Sequence, residues 1–262
     1  MKSCQISIPL ETPERRSSHD PPVGSYGASP PISCAVSAAG KCAMSRLCRD
    51  GADSLYRTLS GPSVLRRTIR RGEALYRAGD MFANLYQLQS GSVKLRISHY
   101  TGIEQITAFP MAGALLGLDG IETGVHTCDA VALEHSLVCV LPIDDLLALC
   151  GADPAAALQL NKMIAHEATY YRNLLLVLAC MKSEERIANF LVDLSDRLAA
   201  GGYSPKEFTL KMTREDIANH LGMKLETVSR IFTRLKSGRI LDVRRRYLKI
   251  CNPDALKKMG NG

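Results

Sequence analysis

The sequence predicts an α+β protein with an N-terminal β-roll, a long helix and a C-terminal winged helix-turn-helix. Three observations lead to this prediction. Short alternating segments separated by glycine turns fill residues 53 to about 145. A narrow apolar seam at helical spacing runs from Pro154 to about Met181. Two short amphipathic helices joined at Gly222 then precede a basic hairpin.

The composition is that of a globular chain with a basic surplus. The chain has 262 residues, of which 46% are hydrophobic, and a net charge of +7. A basic balance is consistent with a polyanionic partner. No apolar run approaches the roughly 20 residues of a membrane span, and the N-terminus lacks the apolar core of a signal peptide. We therefore expect a cytoplasmic protein that has no membrane partner.

The first segment, residues 1–52, is predicted to be a flexible tail that ends in a cysteine-rich stretch. Its first part is rich in Pro, Ser and Gly without apolar periodicity. The stretch CAVSAAGKCAMSRLC then carries Cys34, Cys42 and Cys48. Soft thiolates in a loop bind iron–sulfur clusters or zinc. Because no C-x-x-C pair is present, incidental cysteines remain an alternative.

Residues 53–150 are predicted to form the β-roll. Apolar and polar residues alternate in short runs, and turn residues such as Ser90-Gly91-Ser92 separate the runs. The predicted strands are Glu73–Tyr76, Leu85–Gln89, Val93–Ile97, Glu104–Phe109 and a stretch over Ala130–Leu141.

Residues 151–182 are predicted to form a dimerisation helix that begins at Pro154, a residue well suited to a first helical turn. Its apolar residues step by four and three positions alternately, which makes a seam that fits a partner helix. Packing of this helix on its own roll is the alternative, and both can hold on different faces. The seam residues are Ile164, Ala168, Tyr171, Leu175 and Leu178.

Residues 183–262 are predicted to form a winged helix-turn-helix. Thr213 can cap the first helix, with Asp216 as the carboxylate of a capping box. Gly222 supplies the backbone freedom for a sharp turn. The second helix begins near Leu225, and two strands follow it around three arginines. A helical subdomain with a solvated polar face is the alternative interpretation.

The polar side of the second helix suits double-stranded DNA. The N-terminal residues of such a helix face base edges in the major groove. Arg230 can pair with guanine, Glu226 can accept from cytosine N4, and Ser229 can contact a base or a phosphate. Arginines in a hairpin turn are suited to phosphates. The predicted DNA-binding residues are Glu226, Thr227, Ser229, Arg230, Arg234, Arg244, Arg245 and Arg246.

Over roughly residues 42–258 the chain resembles the cAMP receptor protein/FNR (CRP/FNR) family of bacterial regulators. It looks most like the branch of the fumarate and nitrate reduction regulator (FNR). The family's E-x-x-S-R pattern falls on Glu226, Ser229 and Arg230. The resemblance implies a cyclic-nucleotide-binding-like roll, which is a double-stranded β-helix. The matching stretches are LYQLQSGSVKLR, EQITAFPMAGALLGLDGI, SLVCVLP, SEERIANFLVDLSDR, GYSPKEFTLKMTREDIANHLG and ETVSRIFTRL.

The resemblance also bears on a nucleotide ligand. The cyclic-nucleotide branch holds its ligand phosphate with an acidic residue after the roll glycine and with an Arg-Ser pair. Here Leu118 follows Gly117, and Thr127-Cys128 occupy the later place. A phosphate would meet no buried cation, so no cyclic nucleotide is expected.

FNR proteins hold an oxygen-labile [4Fe-4S] cluster through three N-terminal cysteines and one in the roll. Cys42, Cys48 and Cys139 match three of these ligands. The position of the family's first ligand is Ala39 here, and Cys34 lies eight residues before Cys42. A longer loop that supplies Cys34 is the predicted arrangement. A non-cysteine fourth ligand, or no cluster, are the alternatives.

The functional hypothesis is an oxygen-responsive transcription regulator that binds a palindromic site as a homodimer while its cluster is intact. The family implies contacts to RNA polymerase, including the 98–104 turn. A family regulator without a cluster, which responds to another signal or to thiol redox state, is the alternative. An enzymatic or small-molecule-binding roll is a third hypothesis. The sequence contains no catalytic constellation, so no catalytic residue and no enzyme are predicted.

Overall fold

The protein is described by a computed structural model over residues 65–260. The described strands are β1 Arg66–Ile69, β2 Ala74–Tyr76, β3 Asn84–Ser90, β4 Val93–Ser98, β5 Glu104–Ala108, β6 Leu115–Leu116, β7 Asp129–Ala132, β8 Ser136–Pro142, β9 Glu207–Thr209, β10 Leu241–Arg244 and β11 Tyr247–Ile250. The described α-helices are α1 Ile143–Ala152, α2 Pro154–Cys180, α3 Ser183–Ala200, α4 Arg214–His220, α5 Leu225–Ser237 and α6 Pro253–Gly260.

The first eight strands form the predicted roll from two antiparallel four-stranded sheets. One sheet has the order β1-β8-β3-β6 and the other has the order β2-β7-β4-β5. Successive side chains of a strand point to opposite faces. Val138 therefore lies in the core of the roll, whereas Cys139 next to it faces outward. Strand β5 is the last strand of its sheet, so one of its edges lacks a neighbouring strand of that sheet.

The structure differs from the sequence prediction at four places in this region, the smallest of which is the two-residue strand β6, where no strand was predicted. The single predicted stretch over Ala130–Leu141 is two strands, because residues 133–135 bend the chain between β7 and β8. Strand β1 was not predicted, since only Ile69 of its residues is buried and no apolar alternation results. Helix α1 was not predicted either, because its residues are apolar on most sides.

The long helix α2 begins as predicted at Pro154. The Asp153 carboxylate caps it by accepting a hydrogen bond from the Ala155 backbone N–H at 2.9 Å. A break at residues 181–182 separates α2 from α3. At this break, Glu185 accepts the backbone N–H of Lys182 at 2.8 Å and so caps the new helix.

The C-terminal part is the predicted winged helix-turn-helix. Helices α3 to α6 surround one apolar core, and the small sheet β10-β11-β9 closes it. Strand β9 was predicted over Phe208–Met212 but lies over Glu207–Thr209. The wing consists of β10 and β11, which pair in register from Leu241 opposite Ile250 to Arg244 opposite Tyr247.

Candidate DNA-binding interface

Helix α4 starts at the capping box that the sequence predicts. The Asp216 backbone N–H donates to the Thr213 hydroxyl at 3.0 Å, and the Thr213 backbone N–H donates to the Asp216 carboxylate at 2.8 Å. Burial raises the pKa of the Asp216 carboxyl, but hydrogen bonds from Lys94 and Thr213 outweigh burial and hold its pKa below the usual range. The cap therefore carries a negative charge at neutral pH.

The turn between α4 and α5 depends on the backbone conformation of Gly222. Its φ is +62°, a left-handed value that favours glycine. A Cβ atom would meet nothing closer than 3.6 Å, so conformation rather than space requires the glycine. The Met223 backbone N–H donates to the Ala218 carbonyl at 2.8 Å and closes the turn.

Helix α5 separates a buried apolar face from an exposed polar face. Val228, Ile231, Phe232 and Leu235 are buried in the core of the unit. Glu226 and Arg230 are exposed, and Thr227 and Ser229 are half-buried. We call Glu226, Ser229 and Arg230 the reading face. The Arg230 guanidinium lies 3.4 Å from the Thr227 hydroxyl, which is a weak contact.

Arg234, one turn further along α5, is exposed but paired within the protein. Its guanidinium makes an ion pair with Glu184 at the start of α3. Sequence analysis placed Arg234 with the DNA-binding residues. The structure gives it an intramolecular partner, so a contact to a phosphate would exchange one anion for another.

The wing presents its arginines unequally. Arg244 ends β10 and lies near Asp242, whereas Arg245 and Arg246 form the two-residue turn. Arg245 is exposed and has a φ of +57°, a left-handed value that carries a local conformational cost. Arg246 donates to the Lys211 carbonyl at 3.2 Å and is half-buried. Arg244 and Arg245 are therefore the exposed arginines of the wing.

A cleft of about 330 Å³ lies between the wing and the start of α4. Its floor is apolar and its walls carry Arg214, Arg245 and Arg246. Sequence analysis did not identify Arg214. A basic residue directly after the capping Thr213 was the signal that could have found it. Its guanidinium also lies 5.3 Å from the centre of the Phe232 ring, which holds it near α5.

Among the four predicted cluster ligands, only Cys139 lies within the described residues. It is buried on the outer face of β8, in register with Gln87 of β3 and Arg66 of β1. Gln87 is buried, and its amide Nε2 has no hydrogen-bond partner within residues 65–260. The same residues contain no group of three or more side chains that could hold a metal ion. Cys34, Cys42 and Cys48 lie outside the described range.

The carboxylate of Asp119 lies against Thr127 and Cys128 in the roll. Asp119 accepts the backbone N–H groups of Thr127 at 2.7 Å and of Cys128 at 3.2 Å. It also lies 3.4 Å from Tyr76 Oη and from His126 Nδ1. The hydrogen-bond donors at this place are therefore used by the carboxylate of Asp119.

The predicted seam of α2 divides into an exposed part and a half-buried part. Ile164, Ala168 and Leu175 are exposed, and Leu175 is 68% accessible. Tyr171 and Leu178 are half-buried, since Tyr171 donates to Glu167 on the side of α2 that packs on the roll. Leu175 thus offers the largest apolar surface for a partner helix.

Two families match separate parts of the chain. A family described as "Crp-like helix-turn-helix domain" matches residues 185–259. A family described as "Cyclic nucleotide-binding domain" matches residues 66–153. No helix in residues 65–260 combines the length and the apolar character that crossing a membrane requires.

The chain is similar to curated regulators. It is 40% identical over 194 residues to the fumarate and nitrate reduction regulatory proteins of Yersinia pestis and of Escherichia coli K12, covering 74% of this chain and 78% of each relative. The structure of FixK2 from Bradyrhizobium japonicum is 29% identical with a TM-score of 0.69, and the match covers 75% of this chain and 96% of that one. The regulator CLP from Xanthomonas campestris, at 21% identity and a TM-score of 0.62, shares the fold over 76% of this chain and 98% of its own.

Proposed function

The chain belongs to the CRP/FNR family of transcription regulators, in its FNR branch, and we propose that it is an oxygen-responsive homodimer that binds a palindromic DNA site. Like its relatives, it is a DNA-binding transcription regulator and not an enzyme. The observation that carries the proposal is the exposed reading face of α5 in a unit that also exposes the wing arginines Arg244 and Arg245.

In this proposal the reading face contacts bases, whereas the arginines of the wing contact phosphates. Arg230 pairs with a guanine and Glu226 accepts from a cytosine, because their side chains are exposed at the start of α5 and match those base edges. Ser229 contacts a base or a phosphate. Arg245 in the wing, with Arg244 and Arg246 beside it, neutralises phosphates, which adds affinity without sequence preference. Thr227 and Arg234 contribute at the edges of this surface.

The exposed seam of α2 supports a homodimer. Leu175, Ile164 and Ala168 place apolar surface on the side of α2 that faces away from the roll. Pairing with the same helix of a second copy would bury this surface and bring two reading faces onto one side of the dimer. Two-fold symmetric proteins of this kind read two half-sites about one helical turn apart.

The proposed sensor is a [4Fe-4S] cluster held by Cys34, Cys42, Cys48 and Cys139. Cys139 fits this role, because it lies on the outer face of the roll beside Gln87, whose amide Nε2 has no partner among residues 65–260 and can donate to a cluster sulfur. When bound, the cluster supplies an oxygen-labile link between its ligands. Cys139 holds the roll end of that link, and the N-terminal cysteines hold the other end.

A contact with RNA polymerase is proposed at the tip of the β4–β5 hairpin. Tyr100 is 93% exposed and Ile103 is 68% exposed, although both are large and apolar. Exposed apolar groups at a hairpin tip are suited to a protein partner. This tip corresponds to the 98–104 turn for which the family resemblance implies such a contact.

The alternative is a family regulator without a cluster, and Ala39 at the place of the first ligand favours it. Thiol sensing by Cys139 is less favoured, because redox-sensing thiols are accessible and Cys139 is only 3% exposed.

The proposal is tested by purifying the protein without oxygen and recording its visible spectrum with its iron and sulfide content. Cys139→Ala and Cys34→Ala variants are compared with a Cys251→Ala control, since Cys251 is exposed in the DNA-binding unit. We expect a brown protein that bleaches in air and two colourless ligand variants. A brown Cys34→Ala variant would show that the fourth ligand is a residue other than Cys34. A wild type that stays colourless after reconstitution would refute the cluster.

DNA binding is tested in the same preparations. A duplex pool with a randomised centre is selected on the anaerobic protein, and the enriched site is then bound with and without air. We expect a palindrome whose binding weakens after exposure to air. Enrichment of an asymmetric single site would contradict the homodimeric part of the proposal.

A further inference from the structure

Helix α4 of the DNA-binding unit is docked on the free edge of β5 in the roll. The carboxamide of Asn219 makes both central contacts. Its Oδ1 accepts the Ile106 backbone N–H at 2.6 Å, and its Nδ2 donates to the Glu104 carbonyl at 2.9 Å. A side-chain amide thus pairs with β5 as a neighbouring strand would, which satisfies edge groups that otherwise need water.

The roll returns contacts to the same end of α4. The Gln105 amide donates to the Asn219 carbonyl at 2.7 Å and to the His220 carbonyl at 3.2 Å. These are carbonyls of the last helical turn, which lack partners within the helix. The buried His220 ring lies with Nδ1 2.9 Å from the Ile106 carbonyl. The end of α4 is therefore held to the roll by the side chains of Asn219 and His220 and by the side chain of Gln105.

The start of α4 is fixed to the roll as well. Lys94 of β4 lies 2.7 Å from the Asp216 carboxylate, the group that caps the helix. Both side chains are less than a quarter exposed, so water screens this pair less than a surface pair. Two points near opposite ends of a seven-residue helix define its orientation on the roll.

Apolar packing continues across the same contact. Ile106, Phe109 and Leu133 of the roll belong to one buried cluster with residues of the DNA-binding unit, among them Ile217 and Phe190. Arg197 of α3 donates to the Phe109 carbonyl at 2.8 Å. A polar frame around an apolar centre is the pattern of a specific interface.

The docking leaves the DNA-contacting surface open. Glu226, Arg230 and Arg245 are exposed and take no part in it. Because α5 packs directly on α4 through the core of the unit, an orientation fixed for α4 is also fixed for α5. The docked arrangement is thus compatible with binding DNA.

We propose that Asn219 is a positioning residue that sets the spacing between the two half-sites of the DNA. This inference rests on the proposed homodimeric binding of a palindrome. With α4 docked, each recognition helix is rigid relative to its roll and to α2, so the dimer fits one spacing. Without the docking, each DNA-binding unit can change its orientation at the break at residues 181–182, so the dimer accepts several spacings.

The test compares spacing preference in wild type and Asn219→Ala. The selected palindrome is rebuilt with its half-sites one or two base pairs closer or further apart, and affinity is measured on each duplex. We expect wild type to bind the selected spacing at least tenfold more tightly than its neighbours. The variant is expected to lose most of this preference while base changes within a half-site still weaken binding as in wild type.

Matched variants separate docking from general stability. Gln105→Ala alters the roll side only and is expected to flatten the spacing profile too. Asn252→Ala removes an amide that caps α6 through the Ala255 N–H at 3.0 Å without touching the roll, and is expected to keep the profile. Unchanged spacing preference in both Asn219→Ala and Gln105→Ala overturns the inference, while the palindrome proposal stands. A wild type that binds a lone half-site as well as the palindrome overturns both.

Discussion

The Asp119 carboxylate accepts the backbone N–H of Thr127 at 2.7 Å, at the Thr127-Cys128 place to which the family resemblance assigns a nucleotide phosphate. The sequence predicted that this place lacks a cation, and the structure adds an anion to it. We expect millimolar cyclic AMP to leave the thermal unfolding midpoint unchanged, because the phosphate meets a carboxylate. A dose-dependent rise of the midpoint would contradict this expectation.

The same carboxylate should contribute to stability. Asp119→Ala leaves two backbone N–H groups without their acceptor, so we expect the free energy of unfolding to fall by about 1–3 kcal/mol in urea denaturation. Asp80→Ala is the control, since Asp80 accepts one exposed N–H, that of Arg77 at 2.8 Å. The free energy of unfolding should fall less in Asp80→Ala than in Asp119→Ala. Equal losses in the two variants would argue against a special role for Asp119.

Arg230 and Arg245 should affect DNA binding in different ways. Arg230→Ala is expected to cost about 1–3 kcal/mol on the selected site and to relax base preference at one position. Arg245→Ala should weaken all duplexes similarly and reduce the salt slope by about 1. Fluorescence anisotropy on the selected and a scrambled duplex at several salt concentrations measures both. Identical profiles for the two variants would refute this division of roles.

Leu175→Glu should separate the proposed dimer without unfolding the protomer. A charge placed in the seam must lose its hydration on pairing, and we expect the dissociation constant to rise by roughly 100-fold or more. Sedimentation equilibrium measures it, and circular dichroism reports the fold. Leu147→Glu is the matched control, because Leu147 is 56% exposed on α1. A dimer as tight as wild type would place the interface elsewhere.

His220 should make the docking sensitive to acid. Burial lowers its pKa below the ordinary value, and the hydrogen bond to Ile106 does not compensate. Below the ordinary histidine pKa of about 6.5, the unfolded chain therefore binds a proton that the native protein does not. The free energy of unfolding falls as the pH drops towards the lowered pKa, by at most about 1.4 kcal/mol per pH unit.

The variant His220→Gln keeps a donor for the Ile106 carbonyl and does not titrate. Arg197 and Asp193 also act on the histidine and remain in both proteins. The difference between wild type and variant over pH 5 to 8 thus isolates His220. Parallel curves over this range would show that the histidine does not titrate on unfolding.

Gln87→Leu should have opposite effects with and without the proposed cluster. In cluster-free protein, the substitution removes a buried Nε2 that lacks a described partner, and it also removes the Oε1 that accepts from Gln89 at 2.7 Å. We expect the first effect to exceed the second, so that the free energy of unfolding rises by up to about 1 kcal/mol. In cluster-loaded protein, losing a donor to the sulfurs should speed bleaching in air and lower the reduction potential. Unchanged bleaching with unchanged iron content would remove Gln87 from the cluster environment.

Local patterns made the DNA-binding unit predictable. Thr213 and Asp216 are three residues apart, and the predicted capping box is present with both hydrogen bonds. Gly222 and the polar face of α5 were likewise predictable, because turn chemistry and helical periodicity involve neighbouring residues. The strand pattern of the roll was predictable for the same reason, apart from β1, whose mostly exposed residues do not alternate, and β6, which has only two residues.

Contacts between distant residues could not be predicted. Asn219 and Ile106 are 113 positions apart, and Arg234 and Glu184 are 50 apart. Neither pair has a pattern in the sequence, since each partner has an ordinary local role on its own helix or strand. The proposed Cys34, Cys42 and Cys48 ligands stay predictions for a different reason, because they lie outside residues 65–260.

The amide of Asn219 also has a consequence for solubility. An exposed edge strand offers its free N–H and C=O groups to any other strand, and this is a common route to aggregation. By covering Glu104 and Ile106, the docked helix blocks the middle of β5. The DNA-binding unit therefore serves as a cap that keeps the roll from joining its sheet to that of another molecule. An isolated roll that ends before α3 should accordingly self-associate through β5, where Ile106 also loses the apolar cover of the DNA-binding unit.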